Sequence, residues 1–384
     1  MPFDLEQLYR AKAPAREDTA GPPRTAILLP SGCLFSASHP NSMETVVRTL
    51  AGALDHQNIR IFCCEGATDH DAPGVEVLPA GSRHRRVLLE KLRAFDPQVV
   101  EHHQQAKRAF AMAAALPEAA HLLYRHSALK APRTRFDAWR YHRRYARMNG
   151  FVFVSAAEQA LFTAHYPRLA DRAWAVPNPI DAGPWLSSPE YREPVIAFAG
   201  RAMQEKGVDV ICAALPAILD RYPDWRAVLM LNDWEHHKHW AARHVETLDR
   251  FGERALVLRS APLSEVRHQM KSAAIALTPS IWDEPFGLAA VEAHAAGAAL
   301  ISSGRGGLRE ASGPHALYLD DITPQTLSAA IERLILNPSD RLEMARAAQR
   351  YVVEVHSPRQ RAADLSGIRR LAAARADFRN GRRQ

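Results

Sequence analysis

The sequence predicts an α/β fold made of two doubly wound domains, each with a parallel sheet between layers of helices. Short apolar runs rich in Val, Ile and Leu alternate along the chain with segments of helical periodicity, a pattern typical of parallel sheets wrapped by helices. A stretch dense in Pro, Gly and Ser at 176–194 divides this alternation into two halves of similar size. The length of 384 residues also favours two or three globular units. We expect a ligand cleft between the two domains.

The apolar runs give the strand candidates in order. In the first half they lie at 25–31, 59–64, 75–80, 97–103, 120–126 and 150–156, and helix patterns such as SMETVVRTLAGALDHQ follow most of them. In the second half they lie at 194–200, 226–232, 255–260, 273–280 and 298–304. We predict an N-terminal extension at 1–24, a first domain at 25–180, a second at 181–355, and a helical segment at 356–384 that packs back on the first domain.

Composition narrows the class of protein. With 47% hydrophobic and 24% charged residues the chain resembles ordinary soluble proteins, and no run of about 18 apolar residues predicts a membrane span. The polar start MPFDLEQLYRAKAPARED does not resemble a secretory signal. Scattered cysteines without ligand spacing indicate reduced, buried thiols in a cytoplasmic protein; they are Cys33, Cys63, Cys64 and Cys212.

The formal net charge of +7 favours an anionic partner. Charge alone does not choose among nucleic acid, a phospholipid surface and phosphate-bearing metabolites. The sequence contains no helix-turn-helix, RNA-binding or zinc signature, so we do not expect nucleic acid to be the partner.

The stretch PSIWDEPFGLAAVEAHAAG (279–297) lies where a buried strand gives way to a helix. Ligands of open parallel sheets bind at the carboxyl ends of strands, and Gly287 lets the backbone approach a ligand closely. Free N–H groups at the helix start can hold a phosphate. Glu292 shares the apolar face of this helix with Leu288 and Val291, where a buried carboxylate needs donors such as ligand hydroxyls. A helix rotated the other way would leave Glu292 solvated, and the spacing alone does not decide.

The stretch AFAGRAMQEKGVDVICAAL (197–215) has the same strand–loop–helix character. Its loop carries Arg201 and Lys206, and Gly207 precedes the helix. Two cations beside a helix start predict a diphosphate site, with each charge-assisted contact worth about 1.5–3 kcal/mol. A solvated basic loop is the alternative. The GxxxxGK[ST] pattern of a Walker loop is absent.

Together the two stretches resemble the donor site of retaining glycosyltransferases of family 4, which have the GT-B fold. The Arg-x4-Lys loop of AGRAMQEKG and the Glu-x7-Glu spacing of EPFGLAAVEAHAAG carry the resemblance, which is strong over roughly 176–350 and diffuse over 25–175. GT-B architecture implies two Rossmann-like domains that face each other across a cleft.

The resemblance implies roles for particular residues. Arg201 and Lys206 would clamp the diphosphate of a UDP- or GDP-sugar, Glu284 would face the donor sugar, and Glu292 would hold the ribose hydroxyls. The backbone of three consecutive residues would touch sugar and phosphate: Phe286, Gly287 and Leu288. Because the cations already neutralise the diphosphate, no obligatory metal or other cofactor is expected.

In the first half the resemblance points to histidines at strand ends. His103 would place the donor sugar and stabilise the oxocarbenium charge through its backbone or ring, while His102 and His126 are acceptor-side candidates. Packed or surface histidines are the alternative. The first βα loop departs from the family, because SASHPNSMETVV replaces a Gly-Gly pair; Asn41 and Ser42 would still donate hydrogen bonds to the donor.

Two further segments leave alternatives open. The basic, aromatic stretch at 125–148 has three interpretations. It is a surface patch that binds an anionic membrane with Trp139 or Tyr141 inserted, a site for an anionic acceptor, or a solvated amphipathic helix. The loop SSGRGGLREA (302–311) is expected to shape the pocket.

The function implied by this resemblance is transfer of a hexosyl group from a nucleotide diphosphate sugar to a glycan or glycolipid hydroxyl. The expected setting is bacterial cell-surface polysaccharide or lipopolysaccharide synthesis on the cytoplasmic side of the membrane. The alternatives are a nucleotide-sugar epimerase or glycogen-type synthase of the same fold, and a non-catalytic nucleotide-sugar-binding subunit.

Overall fold

A computed structural model describes residues 21–33, 35–36, 39–54, 58–64, 74–127, 131–379 and 381. The chain divides into two compact units: the first joins Met1–Pro179 to Pro358–Gln384, and the second is Ile180–Ser357. Most of the predicted N-terminal extension, residues 1–20, lies outside the described residues.

Strands and helices alternate along the chain. The strands of the described residues are β1 (Thr25–Leu28), β2 (Ile59–Cys64), β3 (Val75–Leu78), β4 (Val99–His103), β5 (Ala120–Arg125), β6 (Gly150–Phe153), β7 (Ala173–Ala175), β8 (Glu193–Arg201), β9 (Arg226–Asn232), β10 (Ala255–Arg259), β11 (Ala273–Thr278), β12 (Ala299–Ser302) and β13 (Leu317–Tyr318). The helices are α1 (Ser42–Gly52), α2 (His84–Phe95), α3 (Ala106–Ala115), α4 (Arg135–Tyr145), α5 (Ala156–His165), α6 (Val208–Arg221), α7 (Trp234–Val245), α8 (Leu263–Ser272), α9 (Leu288–Ala295), α10 (Leu308–Ser312), α11 (Pro324–Leu336), α12 (Pro338–Val355) and α13 (Pro358–Arg379).

Both units use the same strand order. The first sheet runs β3-β2-β1-β4-β5-β6-β7 and the second β10-β9-β8-β11-β12-β13, with parallel pairing throughout the described strands. The order therefore reverses between β1 and β4 and again between β8 and β11. In doubly wound sheets ligands bind at this reversal, outside the carboxyl ends of the strands. The predicted α/β class with two doubly wound domains is confirmed.

The central strands β11 and β12 of the second sheet are buried along their whole length, because helices cover both faces of such a sheet. All six residues of β11 are buried, and β12 is buried likewise. This rigid centre fixes the point at which the chain leaves β11 for the 279–288 loop. No helix among the described residues is both long enough and apolar enough to cross a bilayer.

The last helix, α13, ends the chain but belongs to the first unit, where it packs against α1, β4 and β5. Its buried side is mainly apolar and includes Ala362, Leu365, Ile368 and Ala372. Arg369 follows Ile368 on this helix and is only 3% exposed. The packing of α13 thus places the guanidinium of Arg369 beside the central strands of the first sheet.

Candidate functional site

The loops that follow β8 and β11 meet at the reversal point of the second sheet, because β8 and β11 are paired neighbours. Arg201 is the last residue of β8, and Lys206 closes the short 3-10 turn that follows. The N–H of Ile281 donates to the carbonyl of Glu205 at 3.0 Å, so the two loops are hydrogen-bonded to each other. The predicted cations and the predicted acidic loop therefore share one edge of one sheet.

Gly207 allows this close approach. Its φ of +72° lies in the left-handed region, and a Cβ placed on it would lie 2.4 Å from the carbonyl oxygen of Pro279. A side chain at this position would push the two loops apart.

Lys206 and Glu284 form an ion pair, with Lys206 Nζ 2.5 Å from Glu284 Oε1. The hydroxyl of Ser280 also donates to Glu284 Oε1, at 2.6 Å, and Glu284 is only 6% exposed. The ammonium of Lys206 lies 5.7 Å from the ring centre of Trp282, whose indole N–H is buried without a hydrogen-bond partner among the described residues. Ser280 and Trp282 were not predicted as site residues, although both belong to the stretch 279–297.

A glycine pair fixes the backbone of Glu284. Gly307 donates its N–H to the Glu284 carbonyl at 2.7 Å, and Gly306 bridges to Glu284 as a strand residue would. A Cβ on Gly306 would lie 2.3 Å from that same carbonyl oxygen. The 302–311 loop thus holds the acidic residue in place.

Helix α9 opens towards this loop without a side-chain cap. Its N-cap Gly287 has φ +111°, and no side chain accepts from the first-turn N–H groups. Leu288 begins the helix and is half-buried. Phe286 is 2% exposed with its ring packed edge-on to His356, 5.3 Å between ring centres, so its side chain is part of the core. The open helix start supplies the positive dipole end that favours phosphate.

Among the predicted charged site residues, Arg201 and Glu292 make no side-chain hydrogen bond or ion pair with the residues that the structure describes. The Arg201 side chain is exposed and makes no ion pair or hydrogen bond there. Glu292 is half-buried, and desolvation raises the pKa of its carboxyl to about 7, against an opposing attraction from the Arg267 guanidinium. A carboxylate held in this way is short of hydrogen-bond donors, which ribose hydroxyls would supply.

Replacing Glu292 by glutamine is expected to stabilise the free protein and weaken nucleotide binding. Because the folded pKa lies above the ordinary 4.5, the wild-type carboxylate loses stability as pH rises from about 4.5 through about 7, and the neutral amide does not. The gain in Tm of Glu292→Gln over wild type should therefore grow across that window and then level off. Thermal unfolding at several pH values, with and without nucleotide, measures both effects; a pH-independent difference in Tm would contradict the account.

In the first unit a buried chain of polar groups links α13 to the ends of β4 and β5. Arg369 Nε donates to Glu101 Oε2 at 2.9 Å, and Arg369 Nη2 lies 2.8 Å from the same oxygen in an ion pair. Glu101 Oε1 accepts from His103 Nε2 at 2.8 Å. His103 Nδ1 lies 2.7 Å from His126 Nε2. Glu101 and His103 share a face because they are two residues apart on a strand. The histidines were predicted as site residues, whereas Glu101 and Arg369 were not.

The charge on Glu101 decides how the chain is protonated. Burial acts to raise the pKa of Glu101, but the Arg369 guanidinium and the His103 hydrogen bond outweigh it and hold that pKa at about 2. An ionised carboxylate only accepts, so His103 carries its proton on Nε2. Desolvation, with nearby His103 and Arg125, keeps the pKa of His126 well below its usual range. His126, half-buried at the carboxyl end of β5, is the member of the chain nearest solvent.

The other candidates of the first unit are placed less favourably for contact with a ligand. His103 is 1% exposed with both ring nitrogens occupied, so its ring acts on neighbouring side chains. His102 points to the opposite face of β4, is fully buried and pairs with His121 at 2.9 Å. That placement does not bring the His102 side chain to an acceptor surface.

Asn41 and Ser42 lie at the start of α1, after the carboxyl end of β1. Asn41 is the N-cap: its side-chain oxygen accepts from the Glu44 N–H at 3.0 Å and its amide donates to Glu44 Oε1 at 2.9 Å. Ser42 is exposed. Among all described residues, no three His, Cys, Asp or Glu side chains are grouped as metal ligands would be.

Comparison with protein families gives matches over both units. A family described as Glycosyltransferase Family 4 matches residues 43–183, and one described as Glycosyl transferases group 1 matches residues 187–351. Two doubly wound parallel sheets are also the architecture of the GT-B fold. The two matches cover most of both units, and together with the fold they support a family 4 glycosyltransferase of the GT-B type.

Curated relatives match part of the chain. D-inositol 3-phosphate glycosyltransferase of Corynebacterium aurimucosum is 32% identical over 215 residues, which are 53% of this chain and 47% of the relative. Glycogen synthase of Mycobacterium tuberculosis is 32% identical over 187 residues, 45% of this chain and 42% of the relative. The matches thus span about half the length of these relatives or less.

Solved structures share the fold over most of the chain. Anabaena HepE in complex with UDP superposes with a TM-score of 0.73 at 17% identity, covering 89% of this chain and 98% of HepE. Sucrose-phosphate synthase of Thermosynechococcus elongatus gives the same TM-score and identity, covering 92% of this chain and all of that one.

Proposed function

We propose that the protein transfers a hexosyl group from a UDP- or GDP-sugar to a hydroxyl of a glycan or glycolipid, with retention of anomeric configuration. One observation carries the proposal: Lys206 and Glu284, in contact, lie beside the open start of α9 at the reversal point of the second sheet. The relatives named above are a D-inositol 3-phosphate glycosyltransferase and a glycogen synthase, and HepE was crystallised with UDP. The proposed setting is bacterial cell-surface polysaccharide or lipopolysaccharide synthesis.

In the proposed reaction the C1–O bond to the diphosphate breaks and a bond from C1 to the acceptor oxygen forms on the same face of the sugar. The acceptor proton passes to the departing phosphate oxygen. Arg201, Lys206 and the first-turn N–H groups of α9 stabilise the charge that develops on the leaving diphosphate. These groups supply the positive charge, so the proposal includes no obligatory metal.

The two glutamates would hold the two sugars of the donor, Glu284 the hexose and Glu292 the ribose. In the structure Lys206 is paired with Glu284. Donor binding would therefore redirect the ammonium from carboxylate to diphosphate, leaving Glu284 free to accept from hexose hydroxyls. Ser280, which donates to the same oxygen, would keep the carboxylate oriented during this exchange.

In the first unit we propose that Asn41 and Ser42 donate to the donor from the start of α1. His103 would act as a positioning residue that orients His126, the acceptor-side candidate, through their 2.7 Å contact. Peripheral contact with an anionic membrane is also proposed, since Phe136 and Trp139 on α4 are 65% and 52% exposed. Flotation with anionic vesicles measures that contact.

A panel of UDP- and GDP-sugars tests the function. Incubation with the correct donor should release UDP or GDP slowly in water and faster with an acceptor, and the product should keep the donor's anomeric configuration by NMR. A non-catalytic subunit would bind the nucleotide sugar without releasing nucleotide, and an epimerase would change the sugar while it stayed attached. Either outcome would contradict the proposal.

A further inference from the structure

The first unit contains a groove of about 980 Å³ that is separate from the predicted donor residues. The start of α3, the end of β5 and one side of α4 form it. We call it the cationic groove, after its basic lining of Lys107, Arg108, Arg125, Arg133, Arg140 and Arg144.

Two of these cations already have partners. Arg108 donates to the carbonyls of Leu28 and Leu29, and Arg125 donates to the carbonyl of Gln104 and is attracted by Glu158. Among the described residues that line the groove, Asp137 is the one carboxylate, and it is already paired with Arg140 at 3.0 Å. Lys107, Arg133 and Arg144 make no ion pair with a carboxylate among the residues that the structure describes. An anionic ligand in the groove would balance the charge of these three side chains.

The start of α3 adds further positive charge at the same place. Its N-cap, Gln105, gives no side-chain hydrogen bond to the first-turn N–H groups, and the first-turn residues Lys107 and Arg108 line the groove. The preceding residue, Gln104, has φ +65°, a left-handed conformation that non-glycine residues seldom adopt. An uncapped helix start next to basic side chains is a strong binding site for phosphate.

One side of the groove is aromatic. Phe110, Tyr141, Tyr145 and Tyr166 line it, and Tyr145 packs edge-on against Phe110 and Tyr166 at 5.6 and 5.1 Å between ring centres. A rigid apolar wall beside a few placed polar groups is the usual composition of a small-molecule pocket. An inorganic ion would not use the wall, whereas the carbon face of a sugar or polyol would.

We propose that the cationic groove binds a phosphorylated sugar or polyol, with the phosphate on the basic residues and the α3 start and the carbon skeleton on the aromatic wall. The bound molecule would be the acceptor, and in this respect the inference rests on the proposed function. The same chemistry occurs in a soluble sugar phosphate and in a phospholipid headgroup.

On helix α4 the residues that line the groove differ from those of the proposed membrane contact. Asp137, Tyr141 and Arg144 line the groove and recur at the spacing of one helix face. Phe136, Trp139 and Arg143 do not line it, and the Arg143 guanidinium lies 5.1 Å from the ring centre of Trp139. The groove cations are therefore distinct from those beside the exposed aromatic pair.

Calorimetric titration with glucose 6-phosphate, with glucose as the neutral control, tests the inference. The wild-type protein should bind glucose 6-phosphate saturably and glucose undetectably. Arg144→Gln and Lys107→Gln should each weaken binding about 10-fold or more, as expected for the loss of one charge-assisted contact. Arg143→Gln, the same change one residue along the helix, should leave the affinity unchanged. Lys107 is exposed, so its variant should fold even if Arg144→Gln does not.

A second arm distinguishes the two sources of phosphate. Phosphatidylglycerol vesicles that bind wild type but not the Lys107 and Arg144 variants would support a lipid headgroup as the ligand. The contrary result has three parts: the protein binds phosphatidylglycerol and phosphatidylserine vesicles alike, the groove variants bind as wild type does, and glucose 6-phosphate does not bind. That result would show that the basic residues bind a membrane surface without selectivity, and it would overturn the inference.

Titration of the same samples with UDP and GDP keeps this test separate from the proposed function. Nucleotide binding without glucose 6-phosphate or groove-dependent vesicle binding would overturn the groove assignment alone. If the wild-type protein bound neither UDP nor GDP, the proposed function would be overturned, whatever the groove binds.

Discussion

Lys206→Ala is expected to lower kcat/KM for the nucleotide-sugar donor by about 10²–10³-fold, the usual cost of removing one group that stabilises the charge of a transition state. The substitution removes positive charge from the leaving diphosphate. It also leaves the carboxylate of Glu284, 6% exposed, with Ser280 as its remaining side-chain donor among the described residues. The measurement is steady-state release of UDP or GDP from the donor that the wild-type protein uses.

Lys238→Ala is the matched control, because Lys238 lies in the same unit, on α7, and pairs only with exposed Glu235 at 2.6 Å. Surface pairs of this kind contribute little, so its kcat/KM should equal that of wild type. Glu284→Gln would show whether the ammonium acts on the diphosphate or only on its carboxylate partner. If Lys206→Ala kept kcat/KM within about threefold of wild type, Lys206 would not stabilise the leaving group.

Arg369→Met is expected to lower the free energy of unfolding by about 3–5 kcal/mol, the range measured when one partner of a buried ion pair is removed. Arg369 is 3% exposed and Glu101 1%, so the variant leaves a carboxylate buried without its guanidinium. Urea unfolding of the two proteins measures the difference. Arg370→Met, which removes the exposed neighbour on the same helix, should change the free energy little.

The loss of unfolding free energy in Arg369→Met should depend on pH. The pKa of Glu101 is lowered from 4.5 to about 2, so its stabilising contribution is present above pH 4.5 and disappears as pH falls towards 2. The difference between wild type and Arg369→Met should therefore be largest near neutral pH and shrink in acid. The pair Glu101→Leu with Arg369→Met should recover most of the stability, since apolar residues often replace buried ion pairs without cost. A difference below 1 kcal/mol at pH 7 would show that the pair is not what holds α13 to the sheet.

Much of the fold could be predicted because buried parallel strands have an unmistakable composition. The predicted runs at 59–64 and 226–232 coincide with β2 and β9, where apolar residues begin and end abruptly. The short strands β7 and β13, of three and two residues, were not predicted, because so few residues do not show a pattern that distinguishes a strand from a loop. They complete the edges of sheets whose centres were already predicted.

The candidate site could be predicted where chemistry and spacing are local. Lys206 and Glu284 are 78 positions apart, yet each stands in a recognisable strand–loop–helix segment, and the reversal of strand order brings the segments together. Glu101 and Arg369 are 268 positions apart, and neither lies in a motif. Only the return of α13 to the first sheet pairs them, and helix amphipathicity does not say where a helix docks. The sequence also predicted a helix directly after Gly287, and Gly287 is the N-cap of α9.

Calorimetric titration of the wild-type protein and Arg201→Ala/Lys206→Ala with UDP, GDP, uridine and guanosine measures whether the two cations bind the diphosphate of the donor. One diphosphate should bind to the wild-type protein much more tightly than its nucleoside. The double variant should lose most of that advantage while its circular dichroism spectrum remains that of the folded wild-type protein. Equal affinity for nucleotide and nucleoside, or a diphosphate advantage that survives in the double variant, would contradict the proposed role of the two cations.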